Sequence, residues 1–541
     1  MAATKVLING NIHTVDACFR TVHAMAIEGD KILYAGDNEK ALSFAGSETV
    51  VEDLQGKTVT PGFIDNHVHA KSTGYNYSRM SCENLSKEEI LEGIAKLAKE
   101  AEPGEWIVTG TGWDNDWWED TSYPSMEELD AVSPNNPVIC NRKAGGVTWI
   151  NSKALEALGY SGIDDPALAE ARITNPDGKL STGCLVGYIR RFFNNSVGTS
   201  EKNDIKAMQA LQDGFFAMGL TSFTEASLNG DDLKFMEKLY EDGTLTIRMH
   251  AAVGNAFGND NIRQQSSVEY LKKCPIVGAY GDRFNVRTIK MMAAGTFGSR
   301  NSCMYESFTD NPGNCGTPTT TNEELYEGIK YGSEHGMQVM IHTIGDLDLD
   351  RVLDAYEKVN EETPIKELRH RIEHFQIIRG NTPERAKALG IIPSVQPLHG
   401  PNSSNMAEKC LGPFRAPYSY PIGQLAKRVG MIAGGSDSPV ANAAPLSGIH
   451  AAVTRKNDNL QPENGFYPEL GAMDRESALK AFTIWGAYAQ FGEERYGSLE
   501  PGKYADYVVM DKDLLTVEAD EILNIQVLET VMGGKTVYKK Q

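Results

Sequence analysis

His67 and His69 stand one residue apart in "GFIDNHVHA", residues 62–70, directly after an apolar run that opens at Thr58. On a strand, residues i and i+2 leave the same face, so two neutral imidazoles at this spacing can converge on one ion. A polar surface loop can also carry a three-residue H-x-H pattern. Three later residues shift the balance. His342 in "VMIHTIGD" and His374 in "RIEHFQI" each follow apolar, strand-like residues, and Asp437 follows "AGGS", whose glycines allow close backbone approach. One such histidine is more often a satisfied core residue, but two of them with H-x-H and a terminal aspartate read as a metal site. Asp437 has an alternative role as a helix N-cap; its chemical role would be to touch the metal and move a proton.

Lys290 in "RTIKMMAAG" is the odd member, because an ammonium beside a divalent cation is repelled. Two readings stay open. A desolvated lysine can be neutral and, carbamylated by carbon dioxide, becomes a carboxylate able to bridge ions. Alternatively it is a barrel-floor lysine paired with Glu225 or Asp437. His399 in "VQPLHG" and Glu373 beside His374 read as substrate contacts or as groups supporting the ligands, and His399 could stabilise an oxyanion. Trp113 and Asp114 in "GWDNDWW" are either core of their own segment or pocket wall and polar anchor; Arg300 and Tyr305 are further pocket candidates. His13, His23, His335, His370 and His450 lack a convergent partner and read as structural or solvated.

These residues need elements that carry them to one place. The segments "TPGFIDNHVH", "LTSFTEAS", "TIRMHAAV", "VRTIKMMAAG", "QVMIHTIGD", "HRIEHFQI", "IIPSVQPLH" and "MIAGGSDSPV" are β-rich, each ends in polar residues, and most are followed by helix-like stretches. That succession predicts an α/β fold, a (β/α)8 TIM barrel over residues 58–497, with the chemistry at the C-terminal strand ends. "ELYEGIKYGSEHG" and "TPERAKALG" read as helices closing on glycine. Residues 71–205 are too long for a βα loop and predict an inserted α/β subdomain after the first barrel strand. Residues 1–57 and 498–541 alternate short strands with Asn-Gly and Gly-Asp turns, and together predict a small β-sandwich built from both termini.

Bulk properties narrow the function. The 541 residues carry 52 Lys+Arg against 73 Asp+Glu, a formal net charge of -21, with no basic cluster, which argues against nucleic acid. No run approaches the roughly 18 apolar residues of a membrane span, so no membrane role is expected. The eight cysteines are scattered singly, without a C-x-x-C pair, and read as reduced thiols. The N-terminal stretch lacks the pattern of a secretory signal, and the expected location is cytoplasmic.

The order H-x-H, Lys, His, His, Asp along successive strands resembles the amidohydrolase superfamily. "VTPGFIDNHVH", "KMMAAGTFGSR", "IHTIGD", "RIEHFQ" and "GGSDSPV" are similar to its family 3 branch, which includes N-substituted formamide deformylase. The resemblance covers essentially the whole chain. It implies that His67, His69 and Asp437 hold the more buried ion and that His342 and His374 hold the second, with carboxylated Lys290 bridging. The cofactor would be a divalent metal, Zn2+, in one or two ions per chain. Two departures from the branch, Ala144-Gly145-Gly146 and Ala294-Gly295-Thr296, fall around the expected substrate pocket.

The expectation is therefore a metal-dependent hydrolase that cleaves a C–N bond of a small-molecule substrate (amide, formamide or cyclic amide), with Asp437 as general base and then acid, acting as a homo-oligomer, a dimer. The same ligand set would also serve a deaminase, an esterase, or a metal-assisted isomerase or C–C hydrolase. A non-catalytic binding or assembly relative would be expected to have lost ligands, whereas all six positions are filled.

Overall fold

The computed structural model describes residues 2–143, 146–186, 200–258 and 262–541. They divide into two compact units, Met1–His69 with Gln212–Gln541, and Ala70–Leu211.

In the first unit eight parallel strands follow one another around a barrel: β1 Phe63–Val68, β2 Leu220–Leu228, β3 Arg248–Val253, β4 Phe284–Met292, β5 Gln338–Thr343, β6 Arg371–His374, β7 Ile392–Val395 and β8 Ala433–Gly434. All residues of β1, β3, β5, β6 and β7 are buried, as strands covered on both faces must be. This is why the sequence shows continuous apolar runs rather than alternation. The ring closes beyond β8, where Val68 bridges Ser438 in parallel, His69 N–H donates to Ser438 O at 2.9 Å and Asp437 N–H donates to His67 O at 2.7 Å.

Local signals set the helices. Asn322–Glu334 opens on a capping box between Thr321 and Glu324, and His335 follows it before Gly336 at φ 66°. Thr382–Leu389 ends on Gly390 at φ 70°, the left-handed turn that the "ALG" ending predicts. No helix among the described residues is long and apolar enough to cross a membrane.

Both termini contribute to two small sheets. Lys31–Gly36, Ala24–Glu28, Lys5–Ile8 and Val50–Asp53 form one; Lys535–Lys539, Val527–Met532, Tyr507–Met510, Thr58–Pro61, Asn11–His13 and Thr21–Val22 form the other. A shared core that includes Leu7, Met25, Ile32, Val59, Tyr507 and Val531 joins them. The boundary differs from the expected one at residue 58. Thr58–Pro61 pairs with Tyr507–Met510 rather than with the barrel, and the chain changes sheet at Gly62. A Cβ there would stand 2.3 Å from Thr221 Oγ1, so only glycine fits the crossing.

The second unit has its own five-stranded sheet, in the order Arg172–Thr174, Leu180–Val186, Val147–Ile150, Val138–Arg142, Ile107–Trp113. Its helices include Lys87–Glu100, with a Ser86/Glu89 capping box, and Ser152–Ala157, whose N-cap is Asn151. Two apolar clusters form its core, one around Trp113 and Trp149 and one around Ile139, Ile150 and Leu155.

Gly435 marks the tightest approach at the barrel seam, where an added Cβ would lie 2.7 Å from His67 N and 2.9 Å from Asp65 Oδ1. Backbone cannot yield as a side-chain tip can, so Gly435→Ala should destabilise the protein by about 1–3 kcal/mol. Chemical denaturation of the two proteins measures this, and an unchanged midpoint would show that the seam is looser than described.

Candidate metal centre

The C-terminal ends of β1, β5 and β6 and the turns after β7 and β8 bring His67, His69, His342, His374, His399 and Asp437 together. His69 Nε2 lies 3.2 Å and His67 Nε2 3.5 Å from Asp437 Oδ1, and His399 Nε2 lies 3.8 Å from Oδ2. The His374 ring centroid stands 5.1 Å from that of His67 and 4.4 Å from that of His342. Two sets of donor atoms fall within 4.8 Å of one another: His67, His69 and Asp437, and His374, His399 and Asp437. Asp437 belongs to both.

The backs of the rings decide which nitrogen faces inward. His67 Nδ1 meets the buried Glu373 carboxylate, His374 Nδ1 lies 2.7 Å from Gln396 Oε1, and His342 Nε2 lies 3.3 Å from Gly295 O. Each partner is an acceptor, so each ring nitrogen there carries the proton and the opposite one keeps a lone pair. Burial drives His67 down to about 4, and the Lys290 charge adds to the effect; the same two causes take His342 to about 3. His374 falls well below its ordinary range through burial and its neighbour His342. The imidazoles are therefore neutral at pH 7, the state in which they can ligate. Burial alone would raise the Asp437 carboxyl, but His67 and His69 outweigh it and hold the group ionised.

Asp437 Oδ1 and His399 Nε2 are buried, and neither has a hydrogen-bond partner among the described residues. A buried carboxylate oxygen facing unprotonated imidazoles is costly unless a cation completes the set, so the residues fit a divalent metal. The backbone is strained at the same place. His374 (φ 72°), Phe375 (φ 42°) and Asp437 (φ 59°) occupy the left-handed region without being glycine, as residues at functional sites often do.

Lys290, on β4, is buried and forms no ion pair or hydrogen bond with a described residue, which removes the salt-bridged reading. Burial lowers its pKa against the pull of Glu373 and Asp437. His250 on β3 lies away from the ligands in its contacts: Nε2 meets Thr288 Oγ1 at 2.7 Å, deep in the barrel. Glu225 on β2 is buried and accepts from Ser227 N at 3.0 Å.

Four expected pocket residues are otherwise engaged. Trp113 is fully buried in the insert core, stacks on Trp118 at 5.6 Å and donates its indole N–H to Cys140 O at 2.9 Å, so of its two readings the core one applies. Asp114 caps the turn Asn115–Trp117 and pairs with Arg142. Arg300 is occupied by Asp310 and by the carbonyls of Phe297 and Gly298. Tyr305 donates to Asp350 at 2.9 Å beneath the Arg379 guanidinium. Of the two departures, Gly295 abuts His342, while Ala144 and Gly145 lie outside the described residues.

Arg371 and Gln396 did not stand out in the sequence. Arg371 Nε meets Glu373 Oε1 at 2.8 Å and Nη2 meets Oε2 at 3.1 Å, while Nη2 also reaches Asn66 O and Ser394 Oγ. Both side chains are fully buried. Burial would raise Glu373, and Arg371 and His67 together hold it far below the carboxylate range. The available signal was "RIEH", where Arg371 and Glu373 sit at i and i+2 on an otherwise apolar strand.

The amidohydrolase family model matches residues 50–538. The chain is 29% identical to the protein LONG AFTER FAR-RED 3 of Arabidopsis thaliana, over 99% of this chain and 92% of that protein. It is 25% identical to the N-substituted formamide deformylase of Arthrobacter pascens, over 99% and 98% respectively. The solved structure of an uncharacterised metal-dependent hydrolase from Pyrococcus furiosus superposes with TM-score 0.76 at 27% identity, covering 95% of this chain and all of that one.

Arg371→Met would leave the Glu373 charge buried beside His67 without its countercharge, and should cost about 3–5 kcal/mol of stability. Adding Glu373→Gln should recover part of that loss. Urea unfolding of the three proteins measures the coupling, and a single-variant loss below about 1 kcal/mol would mean that Arg371 is not what balances Glu373.

Proposed function

The chain belongs to the amidohydrolase family of metal-dependent hydrolases, and we propose that it hydrolyses a carbon–nitrogen bond in a small molecule, an amide, formamide or cyclic amide. The observation that carries the reading is Asp437, a buried ionised carboxylate common to both donor sets, with one oxygen lacking a hydrogen bond among the described residues. The likeness to a formamide deformylase along nearly the full length of both chains supports the choice of bond. His67, His69 and Asp437 would hold one zinc ion and His342 and His374 a second. Zinc, when bound, acidifies water and polarises a substrate carbonyl.

The chain's own groups supply the proton handling. Asp437 accepts the proton of the attacking water and then delivers it to the leaving nitrogen, base and acid in sequence. His399 donates an N–H to the carbonyl oxygen as negative charge builds there. Glu373 keeps the His67 Nε2 lone pair directed at the centre. Charge balance gives Lys290 its part. Arg371 and Glu373 cancel each other, so Asp437 is the sole net negative charge among these residues, and a second divalent ion calls for another anion. Carboxylated Lys290 would provide it.

A second reading of His399 has support, since it falls in a donor set with His374 and Asp437. His399→Asn separates the two. A donor role predicts full metal content with kcat lowered about 10²–10³-fold, whereas a ligand role predicts loss of an ion.

Metal-replete enzyme assayed on formamides, acyl amides, cyclic amides and esters tests the reaction class. Asp437→Asn should lower kcat by about 10²–10⁴-fold on the best substrate. Chelation should abolish turnover and a divalent ion restore it, with up to two ions per chain by elemental analysis. Turnover of esters alone, or an Asp437→Asn enzyme of wild-type rate, would refute the proposal.

A further inference from the structure

The inserted unit contains a cavity of about 320 Å³ whose lining comes entirely from its own residues. That is within the size range of small-molecule pockets. Its walls are the end of the helix Ala70–Ser78, the end of Lys87–Glu100, the start of the strand Ile107–Trp113, and the first two turns of the helix beginning at Glu201. Met80, Leu97, Trp106 and Ile107 give it apolar and aromatic surface, and Arg79, Lys202 and Lys206 give it three cations.

Glu100 and Glu105 also line the cavity, but neither forms an ion pair with these cations among the described residues. Asp204, in the first turn of the helix that carries Lys202 and Lys206, is taken by Lys71 at 3.0 Å and by the Tyr75 hydroxyl. Glu105, which also lines the cavity, accepts from Glu102 N at 3.1 Å. Arg79 is half-buried, its guanidinium lies over the Tyr75 ring at 4.4 Å, and burial lowers its pKa. Among the described residues none of Arg79, Lys202 and Lys206 forms an ion pair, although the chain carries 73 Asp+Glu against 52 Lys+Arg. A half-buried guanidinium that lacks a carboxylate has given up hydration without full compensation.

We propose that this cavity is a binding site for a small organic monoanion, a carboxylate on an aromatic or alkyl body. The carboxylate would dock on the Arg79 fork, where two parallel N–H donors match its geometry, with Lys202 and Lys206 adding attraction from the rim. The body would lie against Trp106, Met80, Leu97 and Ile107. Glu100, also in the lining, makes a dianion a poor fit. The site uses none of the barrel's histidines, and its occupancy does not depend on the reaction proposed for the metal centre.

The test is calorimetric titration of the full chain with 3-phenylpropanoate, with 3-phenylpropanol and 3-phenylpropylamine as controls. A carboxylate can also reach a metal ion, so the titration is run on metal-replete and on chelator-treated protein. The proposal expects one saturable site per chain for the acid, of the same affinity in both preparations, with no saturation by alcohol or amine. Arg79→Met should weaken that binding about tenfold or more. Its folding is checked by thermal unfolding. Should it not fold, the exposed pair Lys202→Glu/Lys206→Glu decides in its place, and should likewise weaken binding severalfold. No saturation by the acid, binding that vanishes with the metal, or affinity unchanged in the folded Arg79 variant or the charge-reversed pair would each overturn the assignment.

Discussion

The Glu373 carboxylate, held between Arg371 and His67 with no access to water, is the interaction on which the site depends. Two ions taken out of water are tolerated only when geometry and further hydrogen bonds repay their dehydration. Arg371 meets both conditions through Nε and Nη2, while its buried Nη1 has no hydrogen-bond partner among the described residues. It engages both oxygens of Glu373 and spends Nη2 on Asn66 O of β1 and Ser394 Oγ of β7. One guanidinium thereby ties β6 to β1 and β7 at the level where the candidate ligands begin. Its partner Glu373 then fixes the ring of His67, so barrel integrity and the orientation of His67 rest on the same pair of charges.

The other half of the centre depends on the seam. Asp65 Oδ1 accepts from His67 N and from Ser436 N, both at 3.0 Å, and Asn66 Nδ2 donates to Gly434 O at 3.1 Å. These bonds draw the turn after β8 against β1 through a gap that only glycine at 435 leaves open. Asp437 follows two residues later in a left-handed conformation, and this turns its carboxylate towards His67 and His69. Strain at Asp437 is the local cost of closing the ring and delivering the carboxylate in the same short turn.

Much of this was legible in the chain. H-x-H at an apolar strand end, and single histidines at the ends of two later strands, show in one dimension because the barrel repeats one local plan eight times. Helix-ending glycines were readable because they act over three or four residues. Other features depend on which distant residue arrives opposite. Arg300 and Tyr305 lie just past β4, as pocket residues would, yet Asp310 and Asp350 claim them. The indole of Trp113 reads equally as wall or core until the strand beside it supplies Cys140 O. Thr58–Pro61 and Phe63–Val68 look like one strand, and only the side chain of Thr221 opposite Gly62 shows why they belong to different sheets.

The supports behind the histidines are unequal. His67 backs onto a full negative charge, whereas His374 backs onto a neutral amide and His342 onto a carbonyl. A carboxylate behind an imidazole raises its basicity and stiffens its orientation more than an amide does. Placing a second carboxylate behind His374 would have required another buried countercharge like Arg371, in a barrel interior already filled by side chains. Gln396 supplies the acceptor without that demand. The expected consequence is an ordered pair of positions, one anchored by charge on β1 and one held by neutral groups on β5 and β6, with Asp437 between them. The firmly held side would keep the shared carboxylate in place, and the softer side would have more freedom to adjust.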